Sequence, residues 1–141
     1  LVQAIAPIAA AAGPLKREFA GMLALDPAPR RIPGIGSDIK ATGVQELAYA
    51  EVPVACMREI TALIAQTSAL MDSITCPALV IHGREDHVVP ASNALHIVNT
   101  LASSDIRLLW LEHSYHVATL DNDKDLIVDR VGRFFSEMAA A

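Results

Sequence analysis

The chain has 141 residues, 52% of them hydrophobic, enough for one domain with a sizeable core. Its formal net charge is −5 and its Lys and Arg residues are scattered, so nucleic acid is not an expected partner. The longest nearly apolar run, 1–12, holds Gln3 and Pro7, is too short to span a bilayer, and lacks the basic flank and cleavage pattern of a secretory signal.

In chain order, residues 1–9 (LVQAIAPIA) predict a short buried strand, with helix as the competing reading because of the alanines. From Ala10 to Pro53 the pattern loosens. A helix is expected at 15–25, the stretch DPAPRRIPGIGSD at 26–38 breaks regular structure, and a second short helix is expected at 42–50. Ile60, Leu63, Ile64, Thr67, Leu70 and Met71 recur at helical spacing and predict an amphipathic helix over 54–71. PALVIHG at 77–83 is the continuous apolar run of a strand buried on both faces. A helix follows at 91–102, with Ala94, Leu95, Val98, Leu101 and Ala102 on its apolar face, then a strand, IRLLWL, at 106–111. Ile127, Val131, Phe134, Phe135 and Met138 predict a last helix at 123–139, with Asp121, Asp123 and Asp125 near its start, where the dipole favours acids. This alternation is the α/β pattern of a parallel sheet with covering helices, and 10–53 interrupts it as an insertion. Cys56 and Cys76 match no metal spacing, and two buried free thiols in a reducing compartment are expected.

In an open parallel sheet, sites form beyond the carboxyl ends of the strands. GREDHVVP, with Asp86, follows the strand at 77–82, and EHSYHVATLD, with His116, follows the strand at 106–111. One helical crossover joins these strands, so they should be neighbours whose loops emerge on the same edge. Acid and imidazole would then meet, the carboxylate fixing the tautomer and stabilising the protonated ring. Taken singly, each has an ordinary reading: Asp86 as the cap of a turn, His116 as a structural loop histidine. Glu85 is the rival acid. His96 is expected on a helix surface, while His82, His87 and His113 match no ligand spacing, so no metal is expected.

The stretches CPALVIHGREDHVVPASNA and SYHVATLDNDKD, with GIGSDIKATGVQELAYAEVP at 34–53, resemble the C-terminal half of an α/β-hydrolase. Within that fold they are similar to the bacterial monoacylglycerol lipases and related small carboxylesterases. The resemblance implies a core built from 1–9 and 54–141, with a cap insertion at 10–53 over an acyl pocket. It implies Asp86 as the acid and His116 as the base of a Ser-His-Asp triad. It places Ile35 at the acyl entrance and Glu46 at the polar, glycerol end, against the ordinary readings of cap packing and a solvated acid.

The family carries its serine in G-x-S-x-G on a strand-to-helix turn. No such motif occurs in this sequence, and Ser37 in GIGSD has no strand before it. Aligned on the family, Leu1 falls shortly after the helix that follows the serine, so the N-terminal strands and nucleophile elbow are expected to be absent and the chain looks cut from a longer protein. The implied activity is hydrolysis of carboxylic esters such as monoacylglycerols, without a cofactor and with no turnover by these residues alone. Two alternatives stand beside it: a dehalogenase or epoxide hydrolase with an aspartate nucleophile, and a non-catalytic interaction module. The strand at 1–8 is expected to pair with a second copy or with the missing N-terminal half. A cytoplasmic location is expected.

Overall fold

The computed structural model describes residues 2–13, 21, 23, 24, 27 and 29–140. The elements are β1 (Arg31–Pro33), β2 (Glu51–Pro53), α1 (Val54–Leu70), β3 (Ala78–Gly83), α2 (Ser92–Thr100), β4 (Ile106–Leu111) and α3 (Lys124–Ala140). Single 3₁₀ turns occupy Met71–Ser73 and Ala118–Leu120.

β3 organises the molecule. All of it is buried, and its side chains alternate between two cores, as the period of a strand requires. Ala78 and Val80 pack with Ala94, Ile97 and Leu101 from the α2 side, whereas Leu79 and Ile81 pack with Ile127 and Phe134 of α3. β4 pairs with β3 in parallel, from Ala78↔Ile106 to Gly83↔Leu111. Parallel neighbours need a crossover, and α2 supplies it. The result is a small parallel sheet with helices on both faces, as the resemblance implies.

The other edge of β3 takes residues 5–9, also in parallel, through bridges at Ile5↔Ala78 and Ile8↔Ile81. Ile5 N–H donates to Pro77 O, Leu79 N–H to Ile5 O, Ile81 N–H to Pro7 O and Ala9 N–H to Ile81 O. The strand expected at 1–9 is therefore realised as a ladder over 5–9, interrupted because Pro7 has no N–H to contribute. Most of it is half-buried rather than buried, since β3 covers only one of its edges.

Several expectations need correcting. The helix at 15–25 lies largely outside the described residues. No helix forms at 42–50. Gly43 takes a φ of 78°, a left-handed conformation that a continuing helix does not allow, and 51–53 is drawn into β2, antiparallel to β1 with Ile32 opposite Val52. That small pair arises inside the stretch read as irregular, with Pro33 and Pro53 at the strand ends where a missing N–H is tolerated. α1 forms, but most of its apolar stripe does not bury: Ile60, Leu63 and Leu70 are 45%, 57% and 63% exposed, Ile64 is half-buried, and only Met71, just past the end of α1, reaches the core. Cys56, on α1, is exposed and Cys76 is half-buried; both are free thiols, but neither sits in a core.

In α2, Asn93 and Ile97 take buried places beside Ala94, and Leu95 is exposed. Asn93 turns inward because its side-chain oxygen accepts the N–H groups of Ala12 and Gly13 at 3.0 and 2.6 Å. His96 is half-buried rather than on the surface, its Nε2 lying 2.9 Å from Ser68 Oγ and linking α2 to α1. Among the described residues, no helix is long and apolar enough to cross a membrane.

Candidate active site

The parallel register brings the carboxyl ends of β3 and β4 side by side, and a glycine lets their loops touch. A Cβ on Gly83 would stand 2.7 Å from the carbonyl oxygen of Ser114, so any other residue there would push the two loops apart. The arrangement delivers Asp86 and His116 to each other at 2.9 Å, Oδ2 to Nδ1.

Asp86 is held on every side. Its Oδ1 accepts the N–H groups of Val88 and Val89 at 2.8 and 2.7 Å, and its Oδ2 faces both His116 Nδ1 and His82 Nε2, the latter at 3.3 Å. Asp86 therefore does cap a turn, and that turn fixes the oxygen facing His116. Burial by itself would raise the pKa of this carboxyl. The hydrogen bonds from His116 and His82 and from the Val89 N–H outweigh it and hold Asp86 well below the usual carboxylate range. As an anion, Asp86 can only accept, so Nδ1 of His116 carries the proton and Nε2 presents a lone pair. The Asp86 hydrogen bond raises the His116 pKa; burial opposes this, and the charges of Asp86, Asp38 and Glu46 add to the rise.

His82 is fully buried beneath the acid. Its Nε2 lies 3.1 Å from the Val89 carbonyl, an acceptor only, so Nε2 carries the proton. Its Nδ1 has no hydrogen-bond partner among the described residues. Glu85, the rival acid, is exposed and pairs with Lys40 Nζ at 2.8 Å instead.

The two loops are stiffened by acids that sequence reasoning assigned only to a helix dipole. Asp121 accepts the N–H groups of Lys40, Ala41, Tyr115 and Asn122 at 2.7, 2.8, 2.9 and 2.8 Å. Burial acts to raise its pKa, but these donors hold it below the ordinary value. Asp123 Oδ2 accepts the His113 N–H and the Ser114 hydroxyl, both at 2.9 Å. A third acid, Asp38, joins them. Its carboxylate takes N–H groups from His87 and His116. No periodicity or motif marks an aspartate in a Gly-rich loop for such a role.

His116 opens onto a crevice of about 290 Å³ lined by Ile8, Ala9, Glu46, Val117, Ala118 and Thr119. Glu46 is thus brought to the base, half-buried on the same segment as Ile35. Ile35 is 54% exposed and does not line that crevice. Ala9 holds a left-handed φ of 48°, which costs about 1 kcal/mol in a residue with a Cβ. Serine is absent from the dyad: Ser37 Oγ accepts the Glu46 N–H at 3.3 Å, and among the described residues no serine hydroxyl bonds Nε2 of His116. Nor, among them, are three or more His, Cys, Asp or Glu residues grouped to hold a metal ion.

A family model described as Hydrolase_4, serine aminopeptidase S33, matches residues 36–123. A thermostable monoacylglycerol lipase from Bacillus sp. (strain H-257) is 44% identical over 120 residues, which are 85% of this chain and 48% of that protein. A carboxylesterase from Bacillus subtilis (strain 168) is 31% identical over 90 residues, 64% of this chain and 37% of that one. Among solved structures, a chain from LipS and LipT, two metagenome-derived lipolytic enzymes, superposes with a TM-score of 0.90 at 48% identity, covering 96% of this chain and 55% of its own. The chain spans about half the length, or less, of the relatives it matches.

Proposed function

The chain belongs to the Hydrolase_4 family, serine aminopeptidase S33, as an esterase- and lipase-like domain of α/β-hydrolase fold, and from that membership we propose that it contributes the acid and base of a carboxylic ester hydrolase. The observation that carries this reading is the 2.9 Å bond between ionised Asp86 and His116, with His116 lining a crevice. In the proposed reaction, Nε2 of His116 takes the proton of a serine hydroxyl as its oxygen attacks the ester carbonyl. The tetrahedral intermediate collapses to an acyl-enzyme while protonated His116 gives the proton to the leaving alcohol. His116 then deprotonates water for deacylation, with Asp86 holding the ring throughout.

The substrates proposed are monoacylglycerols or similar acyl esters. Residues 10–53 form the cap, Ile35 stands at the acyl entrance, and Glu46 receives the polar end of the substrate. The position of Glu46 beside His116 supports this assignment. An acyl chain would bind by burial, about 0.8 kcal/mol per methylene. Two free cysteines suit a cytoplasmic setting. The open edge of residues 5–9 is proposed to pair with a second copy or with a segment that completes the sheet; sedimentation of the chain as a stable monomer would count against it.

The decisive assay uses a short-chain nitrophenyl ester. The 141 residues alone are expected to give no turnover. Together with an N-terminal half carrying a G-x-S-x-G elbow, they are expected to give turnover that a serine-directed phosphonate abolishes. Robust phosphonate-sensitive hydrolysis by the 141 residues alone refutes the shared-triad reading.

A further inference from the structure

Resting on the reading of Asp86 and His116 as acid and base, we propose that Asp38 is the positioning residue of the dyad, bridging the tips of the two loops so that the acid and the imidazole stay at bonding distance. Its side chain is only 11% exposed. Oδ2 accepts the backbone N–H of His116 at 2.9 Å and that of His87 at 3.1 Å. Oδ1 lies 2.7 Å from His87 Nδ1, and the Asp38 carbonyl accepts the Val117 N–H at 3.1 Å. One residue thus bonds the base, the residue after the base, and the residue after the acid, although it stands 78 and 49 positions from His116 and His87 in the chain.

The loops are joined at their base by the Arg84 N–H to Leu111 O and by the Arg84–Glu112 pair. These contacts fix where the loops begin, not the separation of their tips. At the tips, a carboxylate suits the task because its two oxygens serve three N–H groups and charge-assisted bonds are about twice as strong as neutral ones. Removing it leaves the half-buried His116 N–H without that acceptor and frees the loops to separate. A displacement of about 1 Å costs on the order of 10²-fold in rate. Asp38 also begins the segment whose next residues, Lys40 and Ala41, are tied to Asp121, so the segment leading to Glu46 and the dyad share one anchorage. The charged groups facing the His116 ring are Asp86, Asp38 and Glu46.

The test reads the dyad directly in the full chain, by NMR of histidine-labelled protein, comparing Asp38→Ala, Asp38→Asn and Asp86→Asn. The unmodified chain should show a hydrogen-bonded Nδ1 proton on His116 and a titration midpoint above that of a free imidazole. D38N keeps an oxygen for the two backbone N–H groups, so it should retain the bonded proton while losing the charge. D38A should lose the proton and bring the midpoint down to that of D86N. A D38A spectrum that matches D38N shows that Asp38 acts through charge alone and overturns the proposal. Where D38A does not fold, amide exchange in the unmodified chain decides: protected His87 and His116 amides support the bridge, and exchange at the rate of open loops overturns it. In the complemented enzyme, D38A should lower kcat about 10²-fold with KM nearly unchanged. Because the spectra report the bond and not turnover, failure of the esterase reading appears separately, as an intact dyad without hydrolysis.

Discussion

α1 and α3 are each 17 residues long and both carry apolar residues at helical spacing, yet they end in opposite environments. α3 lies on the sheet, burying Ile127 and Phe134 against Leu79 and Ile81. α1 buries only Val54, and its Leu63 and Leu70 face solvent. Periodicity marks a face that can be buried. The stabilisation, about 25 cal/mol per Å² of apolar area, arises only where a second surface meets that face. The same division runs through the whole molecule: from Ala78 onward the chain is packed and carries the dyad, whereas 31–70 is more open and is tied to it largely by polar contacts, through Asp38, Lys40, Ala41 and Ser68.

The contrast can be broken from either side. The largest effect is expected at the site: in the complemented enzyme, Asp86→Asn should reduce kcat about 10⁴-fold by releasing the tautomer of His116, measured by ester hydrolysis. Phe134→Ala should cost about 3–5 kcal/mol in denaturant unfolding, because it empties the core under α3. Asp121→Ala should cost about 2–3 kcal/mol, since it deprives four backbone N–H groups of their acceptor and loosens 40–41 from the histidine loop.

A pH series of melting temperatures sharpens the comparison further, because the shifted groups cluster in the packed half and at its seam. Asp86 and Asp121 titrate lower folded than unfolded. Their stabilisation is therefore complete above the unfolded value of about 3.9 and is lost as pH falls below it toward the folded values. His116 is shifted upward, so its contribution is present below about 6.5 and is lost as pH rises through its folded value. Melting should drop on the acid side below about pH 4, with a second decline above about pH 6.5, as His116 loses its proton, that Asp86→Asn removes. The smallest effect belongs to α1: Leu63→Ala should change stability by no more than about 0.5 kcal/mol. A cost of several kcal/mol there would mean that the helix has a surface to pack on, and the contrast would collapse.

Much of the packed half is legible in the sequence because burial on both faces leaves an unambiguous run, as in PALVIHG, and because helices covering such a strand repeat every three to four residues. Asp86 and His116 are legible for a related reason: the end of a predicted strand is a defined place, and two adjacent ends face one crevice. Asp38 and His82 are not. Asp38 acts through backbone N–H groups far away in the chain, which no local pattern encodes, and His82 looks like one more residue of a buried strand. β1 and β2 escape notice for the opposite reason, since three residues among prolines show no alternation.

The amino-acid sequence by itself determined the alternation of strands and helices, the parallel sheet that follows from it, and which two strand tips meet, because those features depend on local periodicity and on the rule that parallel neighbours need a crossover. That Asp86 rather than Glu85 is the acid is what the family resemblance implied. Only the tertiary structure decided that α1 stays open, that residues 42–50 give up a helix, and that Asp38 and Asp121 fasten the segment before Glu46 to the dyad loops. Each of these depends on which surfaces and which backbone donors meet in space, and a linear pattern carries no term for that.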